Sequence, residues 1–243
     1  MAEYDKIAKE YAIIQGKRPG KVFIYDPSFL RVLGNVMGKD ILDIGCGEGY
    51  YTRKIKNSGA KEVVGIDLSK EVISLAENEE KTNPRGIHYF VYNISKMPKL
   101  GEFDIVSATL VIHYAKTKKE LLLICKNVYK NLKYGGRLIA INNSPLDPLT
   151  TNRKYGSTVE GKIPLKEGDK LKVTLWLNEK PSCSFFNYYW SKETYEDCLK
   201  RAGFKLVNWH QMNVSKEGIK KFGKDFWKEW NKNRYLTIIE AIK

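Results

Sequence analysis

Between Ile41 and Tyr50 the chain reads ILDIGCGEGY. An apolar run reaches Asp43, and Gly45, Gly47 and Gly49 then alternate before a helical pattern begins. Glycines so placed let the backbone turn sharply and pass close to a ligand where a side chain would collide. The helix start that follows offers unpaired N–H groups. The next apolar run, VVGIDLS, ends in Asp67, a carboxylate at a neighbouring strand tip, placed to accept hydrogen bonds from both hydroxyls of a ribose. A dinucleotide loop requires G-x-G-x-x-G, but its third glycine, counted from Gly45, falls on Tyr50. The spacing present is D-x-G-x-G-x-G.

Other reactive residue types are sparse. Cys46, Cys125, Cys183 and Cys198 form no CxxC pair and have no histidine at zinc-site spacing, so no metal site is expected and the thiols read as reduced, in a cytoplasmic protein. His113 lies four residues beyond Thr109, past a strand end, and its near-neutral pKa suits it to accept or orient a proton. A structural histidine capping the next helix is the competing reading. His88 and His210 are expected to be structural.

These residues need a frame, and the pattern along the chain supplies one. Short Val- and Ile-rich runs near residues 41–44, 63–67, 88–91, 105–108 and 137–142 alternate with helical stretches near 51–58, 71–80 and 119–132. That alternation marks βαβ units around a parallel sheet. Tyr134-Gly135-Gly136 reads as the stop of the last of these helices. Residues 146–168 show no periodicity and are expected to form a long loop. Residues 170–177 (KLKVTLWL) and 183–190 (CSFFNYYW) then form a hairpin. A helix follows from an N-cap at Ser191 to Gly203, and strands at 204–212 and 235–242 flank a basic helix over 216–232.

The motif pair ILDIGCGEG and VVGIDLS resembles motifs I and II of the class I methyltransferases that use S-adenosylmethionine. FDIVSATLVIHYA (Phe103–Ala115) is similar to that family's motif IV and LKYGGRLIA (Leu132–Ala140) to the helix-turn-strand after it. The resemblance covers residues 35–142 well and the flanks in general layout. It implies an α/β fold, a doubly wound, mostly parallel, seven-stranded Rossmann-like sheet whose last strand is antiparallel, with the hairpin as an insertion. It also implies a single domain: a helical lid over residues 1–34, a cofactor-binding half over 35–145, the insertion over 146–190, and C-terminal helices and strands over 191–243. The implied cofactor is S-adenosylmethionine, released as S-adenosylhomocysteine, against Tyr11, Asp43, Gly45, Cys46, Gly47, Asp67, Leu68, Asn93, Ile94 and Thr109. Asn93 would reach the adenine amino group through its side-chain oxygen.

Absences narrow the acceptor. No Asn-Pro-Pro-Tyr-like segment follows the fourth strand, no acid cluster stands ready for magnesium, and no Pro-Cys dipeptide occurs. What remains resembles the small-molecule group that includes quinone-pathway and toxoflavin-type enzymes, as does the start Tyr-Asp-x-Ile-Ala-x-x-Tyr. Tyr4, Tyr114, Tyr188 and Trp190 are the expected acceptor contacts beside His113, which is the candidate catalytic residue. In the 183–190 strand, alternation sets Phe186, Tyr188 and Trp190 on one face and Phe185 and Tyr189 on the other.

With 243 residues and 42% hydrophobic composition the chain can bury a real core. No apolar run approaches the roughly 18 residues that span a bilayer, and the start lacks an apolar signal region. The net charge of +14 comes from 34 Lys and only 8 Arg, a balance that disfavours a dedicated nucleic-acid groove, since Arg makes the bidentate phosphate contacts. Lys216, Lys220, Lys224, Lys228 and Lys232 nevertheless recur every four residues and carry the rival reading, an enzyme that docks RNA or protein on this helix. A non-catalytic module that binds S-adenosylmethionine is the third. The favoured reading is methyl transfer to N or O of a small molecule, by a monomer or weak homo-oligomer without a membrane or nucleic-acid partner.

Overall fold

The computed structural model describes residues 8–14, 16–178 and 180–243. Seven strands form one sheet: β1 (Asp40–Ile44), β2 (Glu62–Asp67), β3 (Ile87–Val91), β4 (Phe103–Thr109), β5 (Leu132–Asn143), β9 (Leu206–Gln211) and β10 (Leu236–Ile242). Their order is β3-β2-β1-β4-β5-β10-β9. Only β10 runs against the others. The central strands are buried along most of their length because both of their faces are covered. Ile41, Ile105, Ile139 and Ile238 pack on one side, while Leu42, Val106, Ala140 and Ile239 pack on the other.

The covering helices are α1 (Ala8–Ile14), α2 (Asp26–Leu33), α3 (Tyr50–Asn57), α4 (Lys70–Thr82), α5 (Lys118–Lys130), α6 (Lys192–Ala202), α7 (Lys216–Phe222) and α8 (Lys228–Lys232). A π-helical turn, Lys21–Tyr25, leads directly into α2. Side-chain caps set several starts, as N-cap preferences dictate: Ser69 accepts from Val72 N–H, Thr117 from Glu120 N–H and Ser191 from Thr194 N–H. The expected stop at Gly203 is present, with φ 116°.

Three expectations are corrected. The loop expected over 146–168 contains a strand, β6 (Ser157–Glu160), which pairs with β7 (Lys170–Leu177); with β8 (Lys180–Tyr188) these make a separate three-stranded antiparallel sheet. A four-residue strand is too short for its alternation to register in sequence. Tyr134-Gly135-Gly136 does not stop α5, which ends at Lys130 with Asn131 as its C-cap; it forms an irregularity within β5 instead. Finally, the basic helix over 216–232 is broken. Gly223, at φ 78°, ends α7, and a 3-10 turn, Asp225–Trp227, precedes α8. The five lysines are all exposed but share no single helix face. Trp227 and Trp230 beneath them are fully buried, held by Nε1 bonds to the Gly218 and Met212 carbonyls.

The small sheet packs on the face that also carries the N-terminal segment. Tyr155, Val159, Leu171, Val173, Cys183 and Phe185 share one core with Ile24, Tyr25, Phe29, Trp230 and Tyr235. Residues far apart in the chain thus close over the ends of β1, β4 and β5.

Candidate active site

The loop between β1 and α3 is shaped by its glycines. Gly45 and Gly47 have φ values of 65° and 56°, the left-handed region that costs a residue with a Cβ about 1–2 kcal/mol. A Cβ on Gly45 would sit 2.6 Å from the Val111 Cβ, while one on Gly47 would meet only the Tyr11 ring, at 3.9 Å, across open space. Gly45 is therefore glycine for packing, whereas Gly47 leaves space open beside the loop. Cys46 N–H donates to the Ile66 carbonyl (3.0 Å) and Gly47 N–H to Asp67 Oδ2 (3.0 Å), tying the loop to β2. Ser69 N–H donates to the other Asp67 oxygen (2.9 Å), and the two bonds orient that carboxylate at the strand tip.

A cavity of about 340 Å3 lies beside this loop, lined by Tyr11, Gly45, Gly47, Asp67, Leu68, Asn93, Ile94 and Thr109. Eight of the ten expected cofactor residues are brought together there. Asp43 and Cys46 are not among them. Asp43 is wholly buried beneath the loop and accepts from the Thr52 hydroxyl (2.7 Å); burial pushes its carboxyl up to about 6, against the pull of that bond. The Cys46 side chain packs with Ile73, Ala76, Ile87 and Tyr89, and burial pushes the thiol well up. Both residues hold the loop from behind. Asn93 is on the wall, but its Oδ1 already accepts from Ser95 N–H (2.9 Å) and the Ser95 hydroxyl (2.8 Å). Its side-chain oxygen is thus engaged in a local turn at the cavity wall.

A second, smaller cavity of about 40 Å3 adjoins the first and shares Tyr11, Leu110 and Tyr114 with it. Leu110, directly after β4, is a non-glycine residue at φ 58°, held there by its N–H bond to the Ile141 carbonyl (2.9 Å). Such backbone strain clusters at functional sites. The second cavity also takes His113 and Asn143 from the sheet end, Phe185 and Asn187 from β8, and Arg18, Tyr25, Ser157 and Tyr235 from three distant segments. Three hydroxyls form a closed triangle: Tyr25–Tyr235 2.7 Å, Tyr25–Ser157 3.0 Å and Ser157–Tyr235 2.9 Å. Asn143 Nδ2 donates to Asn187 Oδ1 (3.0 Å).

His113 is only 2% exposed, and its Nδ1 accepts from Asn143 N–H (3.4 Å). Burial drives its pKa down to about 3, against the Leu110 carbonyl, which favours the proton. Such burial favours the neutral imidazole. Of the two roles left open by the sequence, accepting a proton or orienting one, this setting favours orienting. Tyr114 stands beside it with ring centroids 5.3 Å apart.

The remaining acceptor expectations fare unequally. Tyr4 lies outside the described residues. Tyr188 and Trp190 face away from the cavity: both pack on the opposite core, and Trp190 Nε1 donates to the Ala115 carbonyl (3.0 Å). The opposite phase of β8 faces the cavity, with Cys183, Phe185 and Asn187 buried while Phe186 is exposed. Arg18, Tyr25, Asn143, Ser157 and Tyr235 were not singled out in the sequence. No local motif marks them, because each enters the site through tertiary packing alone.

Residues 41–136 match the family model described as a methyltransferase domain. An uncharacterized protein of Haemophilus influenzae is 30% identical over 178 residues, covering 71% of this chain and 66% of that protein. The demethylmenaquinone methyltransferase of Lactococcus lactis is 25% identical over 217 residues, 86% of this chain and 81% of that enzyme. The tRNA U34 carboxymethyltransferase of Actinobacillus succinogenes is 33% identical over 109 residues, 44% of this chain, and the match spans only 33% of that enzyme's length. Among solved structures, an S-adenosylmethionine-dependent methyltransferase from Mesorhizobium loti superposes with a TM-score of 0.66 at 18% identity, over 89% of this chain and 96% of that one. A putative methyltransferase of Haloferax volcanii, solved in complex with the Trm112 activator, gives 0.65 at 16%, over 100% and 98%.

Proposed function

The chain belongs to the S-adenosylmethionine-dependent methyltransferases, and from that premise we propose that it methylates N or O of a small-molecule acceptor held in the second cavity. The larger cavity fits the cofactor. Its 340 Å3 lies in the usual range of roughly 300–1,000 Å3 for such sites. Gly47 leaves open the space that a Cβ would enter, and the oriented Asp67 carboxylate suits a ribose diol. When bound, S-adenosylmethionine supplies a methyl group already activated on its sulfonium.

The protein's own residues then have to position the acceptor and exclude water. Tyr11, Leu110 and Tyr114 form the wall common to both cavities. An acceptor in the smaller cavity would lie next to the larger one, and such proximity supplies much of the rate when the nucleophile needs no early deprotonation. α1, which carries Tyr11, packs between α4 and β8 and fits the part of a lid that shields the site. His113, neutral and buried, serves as wall and hydrogen-bonding partner. One chain lines both cavities, so the reading needs no second subunit. The four cysteines are free and buried, which suits a reducing, cytoplasmic setting, and no helix among the described residues is long and apolar enough to cross a membrane.

The observation that carries this reading is the second cavity itself. It is small, lined mostly by buried side chains and adjacent to the larger cavity. The similarity to the tRNA U34 carboxymethyltransferase favours RNA as the second reading, but it spans only 109 residues. The test is incubation with methyl-labelled cofactor and, separately, a low-molecular-weight metabolite ultrafiltrate and total RNA. Label in a small product supports the proposal. Label in RNA alone overturns it, and no label in either points to the non-catalytic module.

A further inference from the structure

The second cavity contains a charge that its surroundings do not neutralise. Arg18 is 2% exposed. Its Nη1 donates at 3.4 Å to the Gly156 carbonyl, its Nε has no acceptor, and among the described residues no carboxylate lies within ion-pair distance of it. Lys21, the buried cation three residues on, does have a counterion, Asp26 at 3.7 Å. Lysine can also shed its proton when buried; arginine cannot. A guanidinium removed from water without an anion is costly, so its retention here points to a partner that arrives with the ligand.

The rest of the cavity suits the same partner. None of the described residues lining it is acidic. The hydroxyl triangle of Tyr25, Ser157 and Tyr235 is a polar, uncharged wall that can turn one O–H to an incoming anion when one of its mutual bonds opens, and burial beside Tyr25 keeps the Tyr235 hydroxyl protonated. Val173, Leu175 and Phe185 give an apolar wall for a ligand body. The space of about 40 Å3 admits a carboxylate-sized head, since a water needs about 10–15 Å3 of such space. The planar fork of arginine fits a carboxylate through two parallel bonds.

We propose that Arg18, with the Tyr25–Ser157–Tyr235 hydroxyls, forms an anion-docking subsite that selects methyl acceptors bearing a carboxylate. The inference rests on the second cavity being the acceptor site. The carboxylate serves as the docking group and remains unchanged; the methyl group goes to a separate N or O atom of the same molecule.

The experiment splits the metabolite ultrafiltrate by anion exchange and incubates each fraction with protein and labelled cofactor. Transfer is expected with the retained anions only, and it survives prior phosphatase treatment. Transfer with the flow-through alone overturns the docking proposal and leaves small-molecule methylation standing. Loss of transfer after phosphatase identifies a phosphate and overturns the carboxylate. Transfer with neither fraction overturns both readings together. With the active fraction, Arg18→Gln should raise KM on the order of 30-fold, the loss expected from removing one partner of a buried charge pair, with cofactor affinity by calorimetry unchanged. Arg18→Lys should fall between. A variant that loses kcat and cofactor affinity while KM holds would show that Arg18 only braces Gly156. Should Arg18→Gln fail to fold, the fractionation and Arg18→Lys still decide.

Discussion

The larger cavity takes its lining from Tyr11 and one continuous stretch, Gly45 to Ile124, whereas the smaller cavity draws on residues 11–25, 110–114, 143–187 and 235–236. The first is a backbone construction. Its shape depends on glycine φ angles and on where β1 and β2 end, so it is encoded by the spacing of a few residues. The second is assembled from side chains that meet only after the small sheet and the C-terminal segment have packed on the large one. Two cavities that share three residues therefore differ in how substitutions should affect them. Changes in the first act on the loop or on one ligand contact, and changes in the second act on charge and hydrogen bonding in a buried space.

The largest effect should come from Gly45→Val. A Cβ there meets Val111 at 2.6 Å, and the residue must also hold φ near 65°. The left-handed cost and overpacking together amount to about 2–5 kcal/mol of stability. Chemical denaturation should show that loss, whereas Gly47→Ala, which meets only open space, should lose about 1–2 kcal/mol and mainly weaken cofactor binding. Equal losses at the two positions would mean that the loop is not built as described.

Asp67→Ala comes next. It removes the carboxylate that orients Gly47 and Ser69 and that is proposed to receive the ribose diol. Leaving such donors unpaired costs about 1–3 kcal/mol, so calorimetry should find S-adenosylmethionine bound some 5- to 150-fold more weakly, with folding intact. Unchanged affinity would remove Asp67 from the site.

The contrast also explains what was legible beforehand. The βαβ units through residue 142 followed from Val/Ile periodicity, the seven-stranded sheet followed from the resemblance, and the D-x-G-x-G-x-G spacing marked the loop beside the larger cavity, because those local signals act within one βαβ unit. Asp43 and Cys46 belong to the same motif but face inward; a motif fixes backbone path more firmly than it fixes which side chains meet the ligand. In β8 the two-residue period was correct, yet which phase faced the cavity depended on how the sheet docks. Arg18, Ser157 and Tyr235 carried no signal at all, since β6 is short and their neighbours lie more than seventy residues away in the chain.

A pH series sharpens the comparison, because each half buries one group with a displaced pKa, in opposite senses. Folding lowers the His113 pKa from 6.5 to about 3. The unfolded chain then binds the extra proton below 6.5, and stability falls as pH drops through that window. Folding raises the Asp43 pKa from 3.8 to about 6, so its contribution is complete below 3.8 and is lost as pH rises through 6. Relative to His113→Gln, wild type should lose about 1.4 kcal/mol per pH unit on going down from 6.5; relative to Asp43→Asn it should gain at a similar slope between 6 and 3.8. For the acceptor found, kcat/KM should show no inflection in the histidine range. An inflection near 6.5 that disappears in His113→Gln would restore the imidazole as a base.

The smallest effect should come from the lysines outside both cavities. Lys228 lies 2.8 Å from Asp225, and Lys232 3.4 Å from Glu229, all four side chains being exposed. With α7 ended by Gly223, the lysines spread over three short segments and cannot present the continuous basic stripe that a four-residue repeat suggests. Exposed ion pairs of this kind contribute little. The triple variant Lys224→Gln, Lys228→Gln, Lys232→Gln should therefore leave kcat/KM for the small acceptor within about twofold, as surface substitutions usually do. A polymer that docked there would release counterions, and its affinity would fall steeply and linearly in log salt, with a slope reduced in the variant. Measuring transfer to the acceptor fraction and to total RNA across a salt series separates the cases. A salt-independent rate unaffected by the three substitutions places recognition in the buried subsite, whereas a steep slope that flattens in the variant would move it to this surface.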